Sequence, residues 1–211
     1  MNYPTKVEAA SLILDIGKRM YNRDFVAAND GNISCRISDG SVLMTPTGVS
    51  KGYMTENMLV NVSLDGELLS TGTKPSSEVK MHLRVFKENP NMAAVTHAHP
   101  PHATACAVAG MSLDMPIIPE AVITVGTVPC VPYELTGTQA LADSIAPYCQ
   151  EYYALLLANH GAITWGRTVI EAFYRLEVVE HYAKILMYTK MFGKMNTLSE
   201  KQVQDLIKLR S

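Results

Sequence analysis

Apolar residues near the start of the chain recur at steps of three and four: Val7, Ala10, Leu14, Gly17 and Tyr21. That period predicts an amphipathic helix over residues 5–22, with Thr5 as its cap. The period then shortens. Ile33–Ile37 and Val42–Thr45 read as strands joined by an Asp39-Gly40 hairpin turn, and Leu59–Leu64 as a third strand that turns at Asp65-Gly66 and returns through Glu67–Leu69. A helix to about Glu88, capped by Ser76 or Ser77, carries Val79, Leu83 and Phe86 on one face. The apolar run Ala93–Ala98 is a strand stopped by Pro100-Pro101, and a short alanine-rich helix follows over His102–Val108. Pro116–Val131, apolar but broken by Pro119, Gly126 and Pro129, reads as two strands around a loop. Gly137-Thr138 opens a helix to about Tyr148, and Tyr153–Ala158 is a buried strand. Long and short helices close the pattern, at Thr168–Met191, with Ile170, Tyr174, Glu177 and His181 along one line, and at Ser199–Leu209. Strands and helices mix without regular βαβ alternation, so the expected fold is an α/β sandwich: a mostly antiparallel central sheet flanked by helices.

Composition adds limits. The 211 residues contain no repeat or linker, and one domain over 1–211 is expected. A net charge of −2 without a basic run argues against nucleic acid or an anionic membrane as partner. No apolar run approaches the roughly 20 residues needed to span a bilayer, and Met1–Lys6 lacks the features of a signal peptide. Cys35, Cys106, Cys130 and Cys149 have no C-x-x-C spacing and sit in apolar contexts. These features predict a reduced, cytoplasmic protein.

The chemistry gathers at strand ends. His97 and His99 are two residues apart, so a strand points both to one face, where they can converge on a metal. Two ordinary surface histidines are the alternative for that pair alone. Glu78 follows Ser76-Ser77 at a helix start, and His160 ends the second buried strand before Gly161. Together they supply four N and O ligands for a divalent ion. The Asn29–Asn32 turn serves as hairpin punctuation or as part of a site. Thr45-Pro46-Thr47-Gly48 is a second turn able to cradle an anion, and the Ser76-Ser77 helix start offers free N–H groups for a phosphate or simply caps the helix. Lys51 is close enough to assist, although a solvated side chain is the preferred reading. His82 is read as structural or surface, His102 as starting a helix or orienting a ligand, and His181 as packing on the long helix.

Taken together, Gly31-Asn32, Thr45-Pro46-Thr47-Gly48, Pro75-Ser76-Ser77-Glu78, His97-x-His99 and Asn159-His160-Gly161 resemble the class II aldolase/adducin family, over roughly Ala9–Leu206. The nearest likeness is to L-fuculose-1-phosphate aldolase and related deoxy-ketose-1-phosphate aldolases. The resemblance implies that His97, His99 and His160 hold Zn²⁺ or another divalent transition metal, with Glu78 as a fourth ligand or an acid/base beside it. It implies a phosphate site at Gly31, Asn32, Thr47, Gly48, Ser76 and Ser77. It also implies a homotetramer with active sites between subunits, acting on a phosphorylated sugar. The expected reaction is cleavage of L-fuculose 1-phosphate or 5-deoxyribulose 1-phosphate to dihydroxyacetone phosphate and a small aldehyde.

Two departures qualify the likeness. Glu120 stands where the fuculose enzyme has a tyrosine contributed by a neighbouring subunit, and the chain ends at Ser211 without that enzyme's aromatic tail. A glutamate at position 120 resembles the acid/base of methylthioribulose-1-phosphate dehydratases, which do not keep the counterpart of Glu78. Pentulose-phosphate 4-epimerases have an aspartate there. A non-catalytic module like the adducin head should lack the ligand set.

Overall fold

The computed structural model describes residues 3–209. Helix α1 (Lys6–Asn22) starts at Thr5, whose hydroxyl accepts from the Glu8 amide while the Glu8 carboxylate reaches back to the Thr5 amide. This capping box satisfies two amides that a helix start leaves free. The predicted span holds, but the buried stripe is offset. Ala9, Ala10, Ile13, Ile16, Gly17 and Met20 face inward, whereas Val7 and Tyr21 are exposed.

Strands β1 (Asn32–Arg36), β2 (Val42–Met44), β3 (Val60–Val62), β4 (Ala94–Ala98), β5 (Cys130–Val131), β6 (Ala154–Leu157) and β7 (Gly161–Gly166) form one sheet in the order β3-β2-β1-β4-β7-β6-β5. Among the described residues only the β5–β6 pair is parallel. The expected return strand at Glu67–Leu69 is reduced to a single bridge between Val62 and Leu68.

Side chains alternate between two cores because successive strand residues point to opposite faces. Ala94 and Ala98 of β4, Leu156 of β6 and Ala162 of β7 join Ile13, Phe173 and Leu176 on one side. That side holds α1, α3 (Pro101–Val108), α4 (Pro119–Thr124) and α6 (Val169–Met191). Val95, Leu155, Ile163 and Trp165 face the other core, with Met81 and Phe86 of α2 (Val79–Glu88) and Leu141 and Ile145 of α5 (Gln139–Ile145). His97 has the parity of Val95, so it points toward α2 and the glutamate at that helix start.

The Pro116–Val131 stretch departs from expectation. Its first half is helix α4, with Pro119 at the first turn, and its second half yields the short β5. Proline's fixed φ suits a helix start, and burial of Ala121, Val122 and Val125 outweighs the strand preference of the β-branched residues. Strand β7 lies where no strand is expected from sequence. The line Ile170, Tyr174, Glu177, His181 is the wetter side of α6: Tyr174 and His181 are exposed, and Ala172, Phe173, Leu176 and Val179 face the core. A final helix, α7 (Glu200–Ile207), is boxed at Ser199 by Gln202.

Candidate active site

Three neighbouring strands bring the histidines together. His97 sits in β4 opposite Asn32 of β1 and Ile163 of β7. His99 lies just past the end of β4, its amide bonded to the Phe25 carbonyl at 2.9 Å. His160 occupies the tight β6–β7 turn, where Asn159 takes a left-handed conformation (φ 56°) that asparagine tolerates. The following residue has to be glycine. A Cβ at Gly161 would lie 2.5 Å from the Ala98 carbonyl oxygen and 2.6 Å from the His99 ring. Ring centroids of His97, His99 and His160 are 4.6–5.1 Å apart, and the three ligating nitrogens lie within 4.8 Å of one another.

Two of the three rings, those of His97 and His99, are oriented from behind. His97 Nδ1 is 3.0 Å from the Ala162 carbonyl oxygen, which only accepts, so Nδ1 carries the proton and Nε2 a lone pair. His99 Nδ1 faces Asp30 Oδ2 at 3.3 Å, which likewise leaves Nε2 free. Glu78 completes the group, with Oε2 3.2 Å from His97 Nε2 and Oε1 3.4 Å from His160 Nε2. Burial, reinforced by the neighbouring rings of His160, His99 and His82, holds His97 well below the ordinary histidine range. Burial also lowers His160, against the opposing pull of Glu78. Neutral imidazoles are the form that binds metal. Nε2 of His97 and of His99 and Oε1 of Glu78 are buried without a hydrogen-bond partner. A carboxylate facing imidazole lone pairs is repulsive unless a cation lies between them. The donor set therefore fits a divalent metal.

The anion cradle adjoins this group. Thr47 N donates to the Lys74 carbonyl at 3.1 Å and Ser76 N to the Thr45 carbonyl at 3.3 Å, joining the two turns expected to bind phosphate. A cleft of about 300 Å³ is lined by Gly31, Asn32, Thr47, Gly48, Ser76 and Ser77, together with Glu78, His99 and His160. A Cβ at Gly31 (φ 72°) would lie 2.9 Å from the His97 carbonyl oxygen, so the first turn passes the histidine strand only as glycine.

Several expectations change. Neither serine caps α2 in the ordinary way. Glu78 is the N-cap residue without a side-chain cap, while Ser76 Oγ accepts from the Glu78 amide at 3.3 Å and Ser77 is exposed. Lys51 is not solvated. It is 1% exposed, and Nζ donates to the carbonyls of Asn29 (2.9 Å) and Val49 (2.6 Å), which supply the acceptors that make burial tolerable. Burial brings its pKa down to about 8. His181 does not pack inward but is exposed. His102 starts α3, as expected, and bonds Glu180. Glu120 is exposed in the first turn of α4 and is not among the residues lining the cleft.

Two residues of the site escaped sequence reasoning. Asp30, which backs His99, lay inside a turn read only for its Gly-Asn pair. Thr136 lines the cleft from the loop before α5, where Thr136-Gly137-Thr138 was the available signal. Gly137 (φ 73°) packs on Ser77, with a would-be Cβ 3.1 Å from its carbonyl oxygen.

Comparison with known proteins agrees with this geometry. The family model described as class II aldolase and adducin N-terminal domain matches residues 11–187. The chain is 33% identical to 3-oxo-tetronate 4-phosphate decarboxylase of Haemophilus influenzae, over 96% of this chain and 97% of that one. It is 32% identical to 5-deoxy-D-ribulose 1-phosphate aldolase of Bacillus thuringiensis, over 93% and 92%. Among solved structures, an L-fuculose 1-phosphate aldolase superposes with a TM-score of 0.89 at 26% identity, covering 96% of this chain and 95% of that one. On the matched span, the shared fold and the assembled ligand set, this chain belongs to the class II aldolase and adducin family.

Proposed function

We propose that the chain is a metal-dependent lyase that cleaves the C3–C4 bond of a ketose 1-phosphate, such as L-fuculose 1-phosphate or 5-deoxyribulose 1-phosphate, to dihydroxyacetone phosphate and a small aldehyde. The observation carrying this reading is the buried Glu78 carboxylate, its two oxygens 3.2 and 3.4 Å from His97 and His160, set beside a neutral anion cradle. Cleavage leaves an enediolate on the three-carbon fragment. His97, His99 and His160 would hold a divalent metal, zinc being well suited to such imidazole ligands, and that ion would supply Lewis acidity to the developing enediolate, worth several kcal/mol.

The protein's own groups do the rest. Backbone N–H groups of Gly31 and Gly48, with the Thr47, Ser76 and Ser77 hydroxyls, hold the phosphate and so fix C3 near Glu78. Glu78 moves the proton at C3 of the fragment. Glu120, offered at the surface, reaches the site of an adjacent subunit in a homotetramer and takes the proton of the C4 hydroxyl. In that assembly Glu120→Gln slows cleavage of the full ketose phosphate yet spares C3 exchange in dihydroxyacetone phosphate.

A second reading is favoured by the 33% identity to a decarboxylase across nearly the whole chain. Loss of carbon dioxide from a 3-oxo-tetronate 4-phosphate leaves the same three-carbon enediolate phosphate, and no leaving-group hydroxyl needs a base. Incubation with both substrate types separates the readings. Dihydroxyacetone phosphate with an aldehyde supports the aldolase, and dihydroxyacetone phosphate with carbon dioxide supports the decarboxylase. Dehydration without either product overturns both.

A further inference from the structure

Asn32 was expected at the phosphate, but its side chain points elsewhere. Its Nδ2 donates to Glu78 Oε2 at 2.8 Å, and its Oδ1 meets Nε2 of His82 in a short hydrogen bond. On the far side of the ring, His82 Nδ1 is 2.7 Å from Ser34 Oγ. Ser34, His82, Asn32 and Glu78 are all buried, at 0%, 0%, 3% and 7% exposure. The four groups form a single line from β1 through α2 to the carboxylate.

The direction of every proton in that line follows from its ends. Glu78 as a carboxylate only accepts, so the Asn32 group facing it must be the NH₂, and Oδ1 must face His82. Oδ1 only accepts, so His82 carries its proton on Nε2. Nδ1 is then a lone pair and takes the Ser34 hydroxyl proton. The opposite tautomer would set a lone pair against Oδ1 and favour turning the amide over, which would set an oxygen against Glu78. Burial holds His82 neutral, its pKa down at about 4, so the ring does not become a double donor near pH 7. The two oxygens of Glu78 end up different. Oε2 is tethered by Asn32, and Oε1 is left without a hydrogen-bond partner.

We propose that His82 is a positioning residue for proton transfer: its Nε2–H locks the Asn32 amide, which tethers Glu78 Oε2 and leaves Oε1 as the oxygen free to exchange a proton with the substrate. The ring lies one helical turn after Glu78 without touching its carboxylate; it acts through a side chain on another element. This inference rests on the proposed enediolate chemistry, because only a step at C3 gives Oε1 a proton to move.

The experiment follows C3–H exchange of dihydroxyacetone phosphate in D₂O by NMR, with metal content and melting temperature measured on each variant. In His82→Leu, kcat for exchange should fall at least 10-fold while KM changes less than about 3-fold and metal stoichiometry is kept. His82→Gln, whose amide can restore a donor to Asn32, should recover at least half of that loss on a logarithmic scale. If His82→Leu does not fold, Ser34→Ala serves instead, and a 2- to 5-fold drop in kcat at unchanged KM is expected as the tautomer loses its anchor. Wild-type kcat in the folded His82→Leu protein overturns the proposal. So does a loss carried by KM, a His82→Gln protein no better than His82→Leu, or, where Ser34→Ala stands in, unchanged kcat. Absence of exchange in the metal-loaded wild type overturns the enediolate reading itself, a failure distinct from the others.

Discussion

Among the described residues, two places bring a glutamate against histidine, and they behave as opposites. Glu180 of α6 accepts from His102 Nδ1 at 2.6 Å and from the amides of His102 (3.0 Å) and Ala103 (2.8 Å). It closes the start of α3, and both oxygens are used. Glu78 meets His97 and His160 at 3.2 and 3.4 Å with Oε1 unpartnered, and Nε2 of His97 and of His99 is unpartnered too. Both carboxylates are buried, so residue type and burial do not separate the pair. Satisfaction does. A buried polar atom left without a partner costs free energy that a fold retains only when something else meets it. The first cluster therefore reads as architecture, and the second, with three histidines converging beside the carboxylate, is the one that fits a metal.

The largest expected effect tests that division at the metal. Replacing His97 and His99 together by alanine should reduce bound metal from about one per chain to none and abolish turnover, while Glu180→Ala leaves metal content unchanged. Elemental analysis of both proteins decides it, and stoichiometric metal in the double variant would sink the assignment. Glu78→Gln should come next, lowering C3 exchange at least 10²-fold, the usual scale for a positioned acid/base. Glu180→Ala should instead lower unfolding free energy by about 2–3 kcal/mol, for charge-assisted bonds lost at a helix start. Urea denaturation measures it, and a smaller loss than in Glu78→Gln would erase the contrast.

How much of this was legible from sequence depends on the range of the cause. Helices α1, α6 and α7 were readable because their caps, Thr5, Thr168 and Ser199, lie within three residues of the amides they bind. The strand bearing His97 was readable because the short run Ala93–Ala98, apolar except for Thr96 and His97, is stopped by Pro100-Pro101, and the i, i+2 histidine pair stands at its end. The family motifs placed Glu78, His160 and the cradle residues, all of which line the cleft or adjoin it. Where several causes competed, reading failed. In Ile117–Val125 the β-branched residues favour strand, yet Pro119 and core packing made α4. Strand β7 starts and ends in glycine, which weakens any local strand signal. The ring behind Asn32 and the carboxylate behind His99 are contacts between residues 50 and 69 positions apart, and no local pattern announces them.

The smallest effect falls on Lys51, which tests the contrast at its boundary. Lys51 lines the cleft, as a phosphate ligand would, but its ammonium is spent on the carbonyls of Asn29 and Val49, as in a structural contact. By the satisfaction rule it belongs with Glu180. Lys51→Met should then change KM for the phosphorylated substrate less than about 3-fold, whereas Ser76→Ala with Ser77→Ala should weaken binding by roughly 1–3 kcal/mol. Its signature should appear in the pH dependence of stability. Burial holds the folded pKa at about 8 against the ordinary lysine value of 10.5, and the Asp30 carboxylate opposes that shift only in part. Between those values the unfolded chain keeps its proton on Lys51 while the folded chain has lost it. Stability therefore rises with pH across that window and is lost as pH falls back through about 8. Measured against Lys51→Met, which has no such proton, wild-type unfolding free energy should climb from pH 8 to pH 10.5 and lie flat below pH 7. A difference that stays flat throughout, together with a large rise in KM, would make Lys51 an anion ligand and return it to the binding site.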